Sequence, residues 1–66
     1  MIGDDLILWR KKQGLTQREL AQFLGIDVMT ISRWERGVRG IPALLSLALE
    51  ALENRLNGGK INGLHK

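Results

Sequence analysis

The stretch 15-LTQRELAQFLGIDVMTISRWERG-37 decides the fold. It holds two helix starts, each followed by its own stop. Thr16 stands three residues before Glu19, so each side chain can bond the other's backbone amide as a capping box. Leu15 and Leu20 flank that box as a hydrophobic staple, and Leu20, Ala21 and Leu24 form the inward stripe. Gly25 then offers a left-handed stop. Asp27 caps the next helix, Ile26 and Ile31 repeat the staple, and Gly37 closes it. Only Gly25 and Ile26 lie between the first of these helices and the cap of the second. A connection that short makes two helices cross steeply, the helix-turn-helix arrangement.

Outward from this pair, Gly14, Gly25, Gly37 and Gly40 divide the chain into four pieces that each read as a helix. The first runs from Asp4 or Asp5, either of which can cap it, to Gln13, with Leu6 and Trp9 on one face and Lys11 and Lys12 at its negative end. The last begins at Pro42, tolerated at a first helical position, and stops at Gly58-Gly59. Leu45, Ala48, Leu49, Leu52 and Leu56 keep helical spacing, while Leu44, Leu47 and Ala51 widen the stripe beyond one core contact. Either set can serve the core and the other a partner. No segment alternates as a strand would. The expected architecture is all-α: a compact four-helix domain over 1–57 with a long C-terminal helix, and a flexible tail over 58–66.

The chain has 66 residues and no cysteine, so one small domain must stand on packed helices, helped by a partner subunit where its own core falls short. The lack of cysteine suits a reducing cytoplasm. No apolar run is long enough to span a membrane, and Asp4 and Asp5 speak against a signal peptide. The net charge is +3, but it is unevenly spread. Residues 9–39 carry seven arginines and lysines against Glu19, Asp27 and Glu35, and the remainder is slightly acidic. Such a basic stretch fits a polyanionic partner and, equally well by charge alone, a solvated charged surface.

The third helix sharpens that reading. At roughly 100° per residue, Val28, Met29, Ser32, Arg33 and Arg36 fall within one arc, while Ile31 and Trp34 fall on the opposite side and anchor it. Two apolar groups, a hydroxyl and two guanidiniums make an unusual idle surface but match base edges. Valine and methionine can touch thymine methyls, serine can bond several bases, and arginine forks onto guanine. Packing of Val28 or Met29 onto a neighbouring helix is the plainer alternative.

Leu15-Thr16-Gln17, Glu19-Leu20-Ala21, Leu24-Gly25-Ile26 and Ile31-Ser32-Arg33-Trp34-Glu35-Arg36-Gly37 together resemble the Cro/C1-type helix-turn-helix proteins, the XRE family, over about residues 6–52. The resemblance implies a lambda-repressor-like fold. It also implies base reading by Val28, Met29, Ser32 and Arg33, with backbone contacts from the start of the second helix, where Gln17 and Arg18 stand. Arg36 and Arg39 complete the expected backbone set. Arg10 and Glu35 match a structural salt bridge between first and third helices in some members. The single long last helix departs from the five-helix phage repressors, so their dimer surface does not transfer.

The function expected is sequence-specific double-stranded DNA binding in the major groove by a cytoplasmic transcriptional regulator, a repressor, acting as a homodimer on DNA. The alternative is an antitoxin-like module that binds a protein partner. No catalytic dyad, metal-ligand cluster or phosphate-cradling glycine loop is present, so neither an enzyme nor a cofactor is expected. His65 has no acid, base or metal partner in the sequence, and Trp9 and Trp34 read as packing residues.

Overall fold

A computed structural model describes residues 1–57; the expected tail, with His65 in it, lies outside the described residues. Four helices follow in order: α1 Gly3–Lys12, α2 Gln17–Leu24, α3 Val28–Glu35 and α4 Leu44–Leu56. There is no strand among the described residues.

The capping box of α2 is formed in both directions. Thr16 Oγ1 accepts from the Glu19 amide at 3.0 Å, and Glu19 Oε1 accepts from the Thr16 amide at 2.9 Å. Asp27 caps α3 more loosely, its Oδ1 accepting from the Met29 amide at 3.5 Å. The first three helices stop in the same way. Gly25 takes φ +71°. The amide of Ile26 then bonds back to Ala21 O at 3.0 Å, the six-to-one bond of a Schellman stop. Gly14 and Gly37 repeat this geometry, with Leu15 bonding Arg10 O and Val38 bonding Arg33 O.

Two boundaries differ from the sequence reading. Neither Asp4 nor Asp5 is the cap of α1. Ile2 holds that position, and Asp5, three residues on, reaches back so that its Oδ2 accepts from the Ile2 amide at 2.9 Å. Isoleucine has no oxygen to return the bond, so half a capping box suffices here. Helix α4 starts at Leu44 rather than Pro42, because Pro42 and Ala43 form a tighter turn in which Leu45 N bonds Pro42 O at 2.9 Å. It ends at Leu56, the last leucine of the stripe, where Asn57 doubles back, its backbone and side-chain N–H groups both donating to Glu53 O. Gly40 ends no helix and lacks a positive φ; it lies in the loop between α3 and α4.

The core is Leu6 of α1, Leu20 and Ala21 of α2, Ile31 and Trp34 of α3, and Leu45, Leu49 and Leu52 of α4. Trp9, Leu15, Leu24, Ile26, Val28 and Ile41 pack around it. Leu45, Leu49 and Leu52 therefore serve the core, and Leu44, Leu47 and Ala51 face outward. Ala48 and Leu56, counted inward by their spacing, are also exposed, Ala48 at the edge of the buried arc and Leu56 at the last residue of the helix. Helix α1 meets α3 at close range. A Cβ on Gly3 would lie 2.5 Å from Glu35 O and 2.7 Å from Trp34 O, so only glycine lets the two backbones approach this far. Trp9 Nε1 donates to Glu53 Oε1 at 3.1 Å and ties α1 to α4.

Candidate nucleic-acid interface

The sequence-predicted residues divide between an internal brace and an outer face. Glu35, on the last turn of α3, is buried, and its carboxylate is shared by two helices. Arg10 of α1 donates through Nε to Oε2 at 2.6 Å and through Nη2 to Oε1 at 3.1 Å. Its Nη1 also donates to Leu15 O at 3.0 Å, which holds the approach to α2. Gln17, first residue of α2, donates through Nε2 to Glu35 Oε1 at 2.9 Å. Burial alone would push the Glu35 carboxyl up. The hydrogen bonds from Arg10 and Gln17 and the charges of Arg10 and Lys11 outweigh it and hold the carboxyl below its ordinary range. The same hydrogen bond to Glu35 raises the guanidinium of Arg10 above its usual value, against the opposing effect of burial.

Sequence reasoning missed the bond from Gln17 to Glu35. It read Gln17 only as an outward contact, because periodicity says nothing about a polar side chain reaching a buried carboxylate. The bond uses one hydrogen of an NH₂ group that has two. Gln17 can thus be braced from within and still donate outward.

On the outer face, the N-terminal end of α2 opens onto a groove of about 560 Å³. Its lining includes Arg10, Lys11, Gln17 and Arg18, and on its far side Val28, the first residue of α3. Val28 is half-buried and packs against the core, so the plainer reading holds for part of this side chain. Met29 does not pack away: it is 48% exposed. Ser32 and Arg33 are half-buried on the same arc. Arg36, the C-cap of α3, is exposed, and its Nε folds back to Ser32 O at 3.4 Å. Arg39 is exposed in the following loop. The short α2–α3 turn thus sets the cationic end of one helix beside the first turn of the next.

A Helix-turn-helix family model, of the Cro/C1 or XRE type, matches residues 6–57. The chain belongs to this family. Its members are DNA-binding transcriptional regulators, and the four helices with their short α2–α3 turn are that family's all-α fold. No curated protein and no solved structure matches the chain. No described helix is long and apolar enough to cross a membrane, and the described residues contain no group of three or more metal-ligating acids, histidines or cysteines.

Proposed function

We propose that this Cro/C1-type protein binds a specific double-stranded DNA site, with α3 in the major groove, and represses transcription from it in the cytoplasm as a homodimer. The observation that carries the reading is the shared groove: Val28 of α3 lines it together with Gln17 and Arg18 of α2. A base-reading surface is useful only if a phosphate anchor fixes its register, and here the two are contiguous. The Gln17 and Arg18 amides at the positive end of α2 would meet one phosphate, joined by the side chains of Gln17 and Arg18. Arg36 and Arg39 would meet phosphates further along, while Val28, Met29, Ser32 and Arg33 read base edges.

One recognition helix reads only a few base pairs. Two copies on half-sites about 34 Å apart read enough to define a site and make it an inverted repeat. The match over residues 6–57 favours this reading over the antitoxin alternative. Selection of bound sequences from randomised duplexes, followed by titration over a range of salt, tests it. The expected result is a symmetric selected site and an affinity that falls steeply with salt. Binding with no selected sequence would overturn the specific reading.

A further inference from the structure

Residues 9–39 carry three carboxylates among seven cations, and two of the three are spent inside the fold. Glu19 closes the capping box on Thr16 at 2.9 Å, and Glu35 holds Arg10 and Gln17. Asp27 differs from both. It is exposed, and among the described residues it pairs with no cation. Its side-chain hydrogen bond, from the Met29 amide to Oδ1, is 3.5 Å long, beyond the usual range of such bonds. That contact turns the carboxylate over the first turn of α3, beside Val28 and Met29, with most of its accepting capacity unused. Capping alone is a poor reason for a charge here. Asparagine or serine caps a helix about as well, and neither would be repelled by phosphates.

We propose that Asp27 is a further specificity-determining residue, accepting a hydrogen bond from the N4 amino group of a cytosine in the major groove. The assignment rests on the reading of α3 as the helix that enters that groove. In such docking the N-terminal residues of the helix contact base edges, and Asp27 stands immediately before the first helical residue, Val28.

The chemistry selects the base. An ionised carboxylate accepts hydrogen bonds and donates none. In the major groove guanine presents O6 and N7 and thymine presents O4, all acceptors, which would face Asp27 lone pair to lone pair. Adenine has a donor at N6, but its acceptor N7 lies beside it. Cytosine presents its N4 donor with no acceptor of its own in that groove. Asp27 thus attracts one base and disfavours the other three, a discrimination that the apolar side chains of Val28 and Met29 cannot make. Once DNA covers the carboxylate, water no longer solvates it, and only a donor in the water's place offsets that loss.

Selection from randomised duplexes with wild type, Asp27→Asn and Asp27→Ser tests the assignment. Both replacements cap helices well, so both variants should keep the wild-type helical circular dichroism and melting temperature. Wild type should select cytosine at one position of the stretch that α3 meets. Asp27→Ser should weaken that preference by at least about fivefold and keep the other selected positions. Asp27→Asn should move it toward adenine, whose N6 and N7 match the amide's acceptor and donor. A selected site unchanged in both variants would overturn the proposal and leave Asp27 a cap. A gain in affinity for all duplexes alike, with the selected site unchanged, would overturn it too, and would make Asp27 a repelling charge only. Wild type that selects no sequence would overturn the specific-binding reading and this assignment with it, so the two failures are told apart.

Discussion

The carboxylate of Glu35 takes the guanidinium of Arg10 side-on through two hydrogen bonds, of 2.6 and 3.1 Å, across a sequence gap of 25 residues. The two side chains are nearly buried, at 13% and 4% exposure. Breaking such a pair from one side strands the other charge in the interior, at a cost of about 3–5 kcal/mol. Glu35→Gln should therefore lower the melting temperature clearly before any DNA is added. An unchanged melting temperature would show that the pair contributes nothing to the fold.

The same carboxylate sets a pH dependence. Its pKa in the folded chain lies below the unfolded value. The stability it contributes is thus fully present above the ordinary carboxylate range and is lost as pH falls through the depressed folded value. Wild-type melting temperature should hold near neutrality and fall in acid. The acid slope should be shallower in Glu35→Gln, and equal slopes would contradict the assignment.

Gly3→Ala weighs two opposed effects. Alanine is the better helix former by about 1 kcal/mol. Yet its Cβ would meet two backbone carbonyl oxygens of α3 that cannot swing aside as a side chain could. Overpacking of this kind costs about 1–3 kcal/mol, so the contact should win and the variant should melt below wild type. A gain in stability would mean that α1 and α3 sit farther apart in solution.

Arg33 and Arg36 should separate by the kind of loss. Arg33→Ala should relax preference at one or two positions of the selected site, worth roughly 1–3 kcal/mol of discrimination. Arg36→Ala should weaken binding to all duplexes alike and reduce the salt slope by about one unit. If selection with Arg33→Ala returns the wild-type sequence, Arg33 is not a reader.

Much of this molecule is legible in the chain because its signals are local. The box of Thr16 and Glu19, the cap at Asp27 and the stops at Gly14, Gly25 and Gly37 each need only neighbouring residues, and the sequence states them outright. What it does not state is long-range. Nothing near Gly3 marks it as the point where a helix start lies against the end of another. Nothing near Glu53 shows that it receives the indole N–H of Trp9, 44 positions away. The α4 stripe was ambiguous for a related reason: a helix apolar over so wide an arc has two possible inner faces, and only packing against Leu6, Leu20 and Ile31 selects one. Arg10 and Glu35 were paired through family resemblance, since their separation alone gives no geometry.

The helices of the proposed interface, α2 and α3, are eight residues each. That is about two turns, below the roughly 12–15 residues at which a helix begins to persist alone in water. Their glycine stops prevent extension, so neither can gain stability by growing. Helix α3 is consequently not a portable part: cut out as a peptide, it should be a coil with the right side chains and no shape. Hydrogen exchange should give its amides the protection of the whole domain, because opening α3 uncovers Ile31 and Trp34 and with them the centre of the core.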